Sequence, residues 1–200
     1  MYDKFKYNTY DEYIAMQVKH IRTLYRTIER SACRNDDISL IKVTFPWAKK
    51  VICVGARDKS EVDAFTEADF EATGIDVYSA SDKIQIVDMH KLSATFLHHE
   101  FDIAYMSHSL EHSYDPVMVL NEVKNVCSMG CFIIVPVMKA PTMKDPVVFN
   151  FMKSTLTSIE DIQQDFDALL TWKLQVNNVI HRRPTTVSAT DEIVIIATFG

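Results

Sequence analysis

The chain has 200 residues, 48% of them hydrophobic and 24% charged, with a net charge of −6. That length accommodates one domain with a substantial core, and the composition is that of a globular protein rather than a disordered one. The acidic balance argues against indiscriminate nucleic-acid binding, and no stretch approaches the roughly 20 apolar residues of a membrane span.

Nothing behind Met1-Tyr2-Asp3 reads as a secretory core. Cys33, Cys53, Cys127 and Cys131 form no disulfide framework, and Cys53 falls in a predicted strand, so reduced thiols and a cytoplasmic setting are expected. Cys127 and Cys131 fall short of the four ligands a zinc site usually takes, and no metal is expected.

Thr9-Tyr10-Asp11-Glu12 reads as a capping box opening a helix. Ile14, Val18, Ile21, Tyr25 and Ile28 recur at three- and four-residue steps along it. Beside this stripe run Lys19, Arg22, Arg26, Arg30 and Arg34, read first as a solvated face and second as a surface for an anionic substrate or RNA. Residues 1–50 hold ten Lys/Arg against six Asp/Glu, which concentrates positive charge at the front. Asn35-Asp36-Asp37 is expected to end the helix, with Ile38 to Trp47 leading through Pro46 into the first strand.

Five short apolar runs follow: Lys50–Val54, Ala72–Ile75, Ile84–Val87, Phe101–Met106 and Cys131–Val135. Most are rich in β-branched or aromatic residues without strict alternation, the pattern of parallel strands buried on both faces. Polar residues sit just past the carboxyl ends of the first four, at Gly55-Ala56-Arg57-Asp58, Asp76, Asp88 and Ser107-His108. Ligands of open α/β sheets bind beyond those ends, so the four clusters are expected to converge on one ligand. Between the runs, Ser60-Glu61-Val62 opens a short helix. Asp115-Pro116 opens another as N-cap and N1, with Gly130 expected to stop it as C′. Residues 138–157 read as a substrate-admitting loop. Ser158-Ile159-Glu160-Asp161 opens a helix to about Leu170, and Trp172 to Ile180 and Glu192 to Phe199 read as closing strands.

The first strand-end turn narrows the ligand. Gly55-Ala56-Arg57-Asp58-Lys59-Ser60 puts Arg57 and Ser60 where a dinucleotide-binding Gly-x-Gly-x-x-Gly turn needs glycine, so a pyrophosphate is disfavoured and a nicotinamide-dependent oxidoreductase ranks last. Asp76 nevertheless lies 21 positions after Gly55, near the spacing of a carboxylate that grips ribose hydroxyls. The pattern indicates a nucleoside without a pyrophosphate, and S-adenosylmethionine fits.

Residues 50–137 resemble the core of the class I, Rossmann-like S-adenosylmethionine-dependent methyltransferases. Phe101-Asp102-Ile103-Ala104-Tyr105-Met106-Ser107-His108-Ser109-Leu110-Glu111-His112-Ser113-Tyr114-Asp115-Pro116 is similar to the family's FD-strand, LEH and DP segment. Ile86-Val87-Asp88-Met89 and Gly74-Ile75-Asp76 resemble its third- and second-strand segments. The glycine turn departs from the pattern, keeping one glycine where the family often has two or three.

The resemblance implies an α/β fold with a doubly wound, mostly parallel seven-stranded sheet, helices on both faces and a terminal antiparallel strand pair. It implies a single domain, 1–200: an N-terminal helical segment (1–46), a cofactor-binding core (47–137), and a substrate loop, helix and closing strands (138–200). In such a family Asp76 would accept from both ribose hydroxyls, Val77 would wall the adenine, and Asp88 would accept from the adenine amino group near the Met89 backbone. Gly55 and Ala56 would pass beneath the methionine part. Arg57 would pair either with the methionine carboxylate or with Asp58 or Glu61.

Ser107 and His108 would lie nearest the methyl group, with His108 or His112 as a proton acceptor or as a structural histidine. His108-Ser109-Leu110-Glu111-His112 also spells H-x-x-E-H, but its strand-to-helix context is wrong for a zinc protease. His181 is only a distant extra ligand for a metal-dependent RNA-methylating reading. The expected function is methyl transfer to O or N of a small or sugar-like acceptor; alternatives are a SAM-binding module without catalysis and an RNA methyltransferase.

Overall fold

Residues 2–24, 35–183 and 190–200 are described by the computed structural model. In chain order the elements are β1 (Tyr2–Lys4), α1 (Tyr10–Leu24), α2 (Asn35–Thr44), β2 (Lys50–Val54), α3 (Ser60–Glu67), β3 (Glu71–Asp76), β4 (Ile84–Ile86), β5 (Phe101–Ser107), α4 (Pro116–Val126), β6 (Cys127–Pro136), β7 (Val147–Phe149), α5 (Ile159–Asp167), β8 (Leu174–Arg182) and β9 (Glu192–Phe199).

Seven strands form one sheet in the order β4-β3-β2-β5-β6-β9-β8. Neighbours from β4 to β6 run parallel, while β9 is antiparallel to both β6 and β8. This is the doubly wound, mostly parallel sheet with an antiparallel closing pair expected from the sequence. Alternate residues of each central strand feed separate cores. Ile52, Val54, Ala104, Met106, Ile133 and Val135 pack on the side of α4 and α5. Val51, Cys53, Ile103, Tyr105, Phe132 and Ile134 pack on the side of α2 and α3. With apolar neighbours on both faces, the inner positions of these strands are apolar whichever way they point, hence the missing alternation. After β2 the chain winds outward through β3 to β4, then crosses back to β5. The switch point, where an open α/β sheet takes its ligand, therefore lies between the ends of β2 and β5.

Several local expectations are corrected. Asn35-Asp36-Asp37 does not end a helix; it begins α2, whose Ile38 and Ile41, followed by Phe45, are spaced to press one face on the sheet. Two acidic residues in a first turn favour a helix start, not a stop. The first helix is described as Tyr10–Leu24, and Tyr25, Ile28, Arg26, Arg30 and Arg34 lie outside the described residues. Its cap forms as expected on one side, with Glu12 N donating to Thr9 Oγ1 at 3.1 Å. Glu12 itself reaches one residue further back, accepting from Asn8 N at 2.9 Å.

Asp115 caps α4 by accepting from Val117 N at 3.0 Å and Met118 N at 3.1 Å, but Gly130 is not its C′ residue. The helix stops at Val126, and Gly130 lies inside β6 opposite Thr198. A Cβ there would overlap the Ala197 carbonyl oxygen and lie 3.0 Å from the Phe45 ring, so the glycine serves close packing. Gly130→Ala is expected to destabilise the fold by about 1–3 kcal/mol, read as a lower urea midpoint. Residues 138–157 are not wholly loop, for β7 within them pairs with β1 in a separate two-stranded sheet.

Candidate functional site

A cavity opens at the switch point, with about 610 Å³ of empty space, part of it open to solvent. Gly55 and Arg57 reach it from the turn after β2, Ile75, Asp76 and Val77 from the end of β3, and Val87 and Met89 from beyond β4. His108, Ser109 and His112 come from the segment after β5, and Tyr13, Gln17, His20 and Ile21 from α1 lie over it. Of the residues expected to hold a cofactor, Gly55, Arg57, Asp76, Val77 and Met89 thus share one cavity wall. Ala56, Asp88 and Ser107 are not on that wall. Ser109, two residues past Ser107, takes the place expected of Ser107.

The turn after β2 adopts left-handed backbone twice, at Gly55 (φ 75°) and at Arg57 (φ 53°). Gly55 is there because a Cβ would come within 2.6 Å of Ser109 Cβ. Arg57 tolerates its conformation because its N–H donates to Asp76 Oδ2 at 3.0 Å. Its guanidinium is buried, 3.6 Å from Asp58 Oδ2. Asp76 Oδ1 lies 3.4 Å from Tyr78 N. Each carboxylate oxygen offers further lone pairs, so Asp76 can still accept from a ligand in the cavity.

Asp88 is engaged elsewhere. Tyr10 Oη donates to its Oδ2 at 2.5 Å, and its Oδ1 accepts from His90 N at 3.0 Å. His90 Nε2 faces two backbone donors, Tyr114 N at 3.0 Å and Asp115 N at 3.2 Å, so it must be the accepting nitrogen. The proton therefore sits on Nδ1, which donates to Asp88 Oδ1 at 2.9 Å. Asp88 thus fastens α1 to the turn after β4, and this is why it turns away from the cavity.

Burial of Asp88 opposes its ionisation, but the hydrogen bonds from His90 and Tyr10 outweigh it and hold the carboxyl at about 2. The depressed folded value means that this stability is present above the ordinary aspartate value of about 3.9. It is expected to fade as the pH falls from about 4 through about 2, with a loss of about 1 kcal/mol once solvent screening of a partly exposed group is allowed for. Thermal midpoints across that range should flatten in Tyr10→Phe.

The two histidines expected to act as proton acceptors have different surroundings. His108, at φ 52°, lies between two buried carboxylates. Its Nε2 donates to Glu192 Oε1 at 3.1 Å, and Nδ1 lies 3.5 Å from Glu111 Oε1. Burial raises Glu111, yet the hydrogen bond to His108 and the electrostatic pull of the neighbouring His112 and His108 rings outweigh this and lower it, so it stays ionised. Both nitrogens of His108 are thus turned to carboxylates. His112 instead has Nδ1 2.6 Å from the Lys144 carbonyl oxygen and 3.1 Å from Asp145 Oδ1. A carbonyl can only accept, so Nδ1 carries a proton, and in the neutral ring the lone pair is on Nε2. His20, across the cavity, stands 5.8 Å from His112 between ring centres. Burial, with help from His112 and Lys144, lowers His20 and favours its neutral form.

Sequence reasoning missed Tyr13, Gln17, His20, Ile21 and Ser109. Ser109 Oγ is buried with no hydrogen-bond partner among the described residues. Among the described residues no group of three or more His, Cys, Asp or Glu side chains is arranged to hold a metal. His181 pairs with the Thr157 carbonyl at 2.7 Å and is not on the cavity wall. Cys127 and Cys131 are buried, and burial pushes Cys131 up to about 12, far from a reactive thiolate.

No protein-family model matches the sequence, and no curated protein matches it. Solved structures do match the fold. A 1,6-didemethyltoxoflavin-N1-methyltransferase from Burkholderia thailandensis, solved with 1,6-didemethyltoxoflavin and S-adenosylhomocysteine, superposes with a TM-score of 0.73 at 12% identity, covering 98% of this chain and 92% of that one. The magnesium protoporphyrin IX methyltransferase of Synechocystis, solved with S-adenosylmethionine, gives 0.55 at 10% identity over 98% and 86%. The N-methyltransferase NodS of Bradyrhizobium japonicum gives 0.55 at 10% identity over 83% and 95%. The chain therefore has the class I methyltransferase fold, as its sequence motifs imply.

Proposed function

We propose that this chain is an S-adenosylmethionine-dependent methyltransferase acting on an oxygen or nitrogen of a small-molecule acceptor. The observation that carries the reading is the single cavity in which the Gly55 turn and the Asp76 carboxylate meet at the switch point. The donor set suits the cofactor. A buried carboxylate matches a vicinal diol, Val77, Val87, Met89 and Ile21 supply an apolar wall, and the orphan Ser109 hydroxyl matches a polar ligand atom. The small-molecule side of the proposal draws on the toxoflavin methyltransferase, which was solved with a small substrate bound. No helix among the described residues is long and apolar enough to cross a membrane.

S-adenosylmethionine, when bound, supplies an electrophilic methyl group on a sulfonium that leaves as a neutral thioether. The chain's own work is then mainly positioning, and proximity with orientation can supply ~7–11 kcal/mol of barrier reduction. Asp76 and Gly55 hold the nucleoside and methionine ends, Arg57 offers a buried cation to a carboxylate, and α1 lies over the cavity. His112, with Nδ1 on the Lys144 carbonyl and Nε2 bare in its neutral form, takes the acceptor's proton. His108, turned to Glu111 and Glu192, keeps the β5 end in place.

Isothermal titration with S-adenosylhomocysteine tests the reading. The expected result is one site per chain and a raised thermal midpoint. No heat and no thermal shift at millimolar ligand would overturn it.

A further inference from the structure

The turn Thr142–Asp145 lies far from β5 in sequence, yet it closes on His112. Thr142 Oγ1 accepts from Lys144 N at 3.2 Å and Asp145 N at 3.0 Å, and donates to Asp145 Oδ2 at 3.1 Å. The Thr142 amide closes the turn by donating to the Asp145 carbonyl at 2.9 Å. These bonds hold two acceptors toward one nitrogen: the Lys144 carbonyl at 2.6 Å and Asp145 Oδ1 at 3.1 Å from His112 Nδ1. The same carbonyl also accepts from Gln17 Nε2 at 3.3 Å, and the Met143 carbonyl accepts from the Tyr7 hydroxyl. The turn is therefore tied to the cavity's helical cover as well as to its histidine.

We propose that Asp145, with the Lys144 carbonyl, is a positioning residue that fixes His112 as the Nδ1–H tautomer and presents its Nε2 lone pair to the acceptor. This rests on the reading of the cavity as a methyl-transfer site. The acceptor class follows from the chemistry, for a group that must shed a proton to attack needs such a base: a phenolic or enolic hydroxyl, or a ring N–H. The acceptor's O–H or N–H bond breaks, the proton goes to Nε2, and the heteroatom keeps the electron pair for its new bond to carbon. The imidazolium so formed faces the Asp145 carboxylate as countercharge, while the Nδ1 proton stays where it was. Thiolates and carbon nucleophiles already carrying a lone pair have no use for this arrangement.

Histidine side-chain nitrogens can be read directly by long-range ¹H–¹⁵N correlation on ¹⁵N-labelled protein saturated with S-adenosylhomocysteine at neutral pH. His112→Asn identifies the His112 signals. Wild-type His112 is expected to show a single pattern, Nδ1 protonated and Nε2 bare. Asp145→Ala is expected to convert at least half of the population to the Nε2–H tautomer that free imidazole prefers. Asp145→Asn, which keeps an oxygen acceptor, should retain the wild-type tautomer and so separate positioning from general loosening of the turn. S-adenosylhomocysteine affinity should change less than about threefold in both variants, because neither touches the Gly55–Asp76 end. An Nε2–H pattern in the wild type, or an unchanged pattern in Asp145→Ala, would overturn the proposal while leaving cofactor binding standing. Absence of S-adenosylhomocysteine binding in the wild type would instead remove the site reading beneath it. Thr142→Val, which deletes the hydroxyl and leaves the carboxylate, gives a second measurement if Asp145→Ala does not fold; it should shift the tautomer in the same direction, and an unshifted pattern would also overturn the proposal.

Discussion

Asp76→Ala is expected to lower S-adenosylhomocysteine affinity by at least about 100-fold, close to 2.7 kcal/mol. Two losses combine. The ligand's hydroxyls lose their acceptor, and the backbone donors of Arg57 at 3.0 Å and Tyr78 at 3.4 Å lose theirs, which loosens the turn that carries the Arg57 guanidinium. Buried donors stripped of partners typically cost about 1–3 kcal/mol each, although both can be reached by water once the carboxylate is gone. Asp76→Asn retains one acceptor oxygen and should fall between. Calorimetry with adenosine and 2′,3′-dideoxyadenosine separates the two losses: wild type should prefer adenosine, and Asp76→Ala should bind both equally weakly. Undiminished discrimination in the variant would remove Asp76 from the ribose role.

The largest effect on stability is expected at Asp37. Its carboxylate is fully buried under the sheet, where it accepts from the Tyr105 hydroxyl at 3.0 Å and pairs with Arg182 of β8. Asp37→Ala leaves the Arg182 guanidinium, only 13% exposed in its side chain, against protein with no countercharge, and leaves the Tyr105 hydroxyl without its acceptor. Breaking a buried pair from one side costs about 3–5 kcal/mol, a large share of the roughly 5–15 kcal/mol that holds a domain folded. The urea midpoint should fall accordingly. Adding Arg182→Met to Asp37→Ala should recover much of the loss, since an apolar replacement of both partners needs no ionic compensation. A loss below about 1 kcal/mol in the single variant would mean that the pair does not act as a buried one.

Asp37 also marks the boundary of what local sequence can convey. The strands were legible because burial on both sheet faces leaves an apolar run that no other context explains as well, and the meeting of Gly55 and Asp76 at one cavity was legible because their spacing spans a turn, a short helix and a strand. Asp115 and Pro116 were legible because a helix start has chemistry of its own. A triple of polar residues such as Asn35-Asp36-Asp37 opens helices and ends them alike; what decided here was Ile38, Ile41 and Phe45 meeting the sheet. Gly130 departs from its expected role for the same reason, as its need for bare backbone comes from Phe45 and Ala197, distant in sequence.

At the site, the departure of Asp88 toward Tyr10 and the arrival of Tyr13, Gln17 and His20 have one cause. The placement of α1 over the strand ends is set by tertiary contacts, among them the Tyr10 hydroxyl on Asp88 and the Tyr7 hydroxyl on the Met143 carbonyl. No short-range pattern encodes them.

The position of β9 bears on how the chain is made. It is the last of the seven strands to be synthesised, yet it is wedged between β6 and β8, supplying Ile193 to Ala197 to both cores. A nascent chain halted before Glu192 would hold β6 with one bare, apolar rim, a template for pairing with a stranger. Folding intermediates of this protein should accordingly depend on chaperones until Glu192–Phe199 is free to pair.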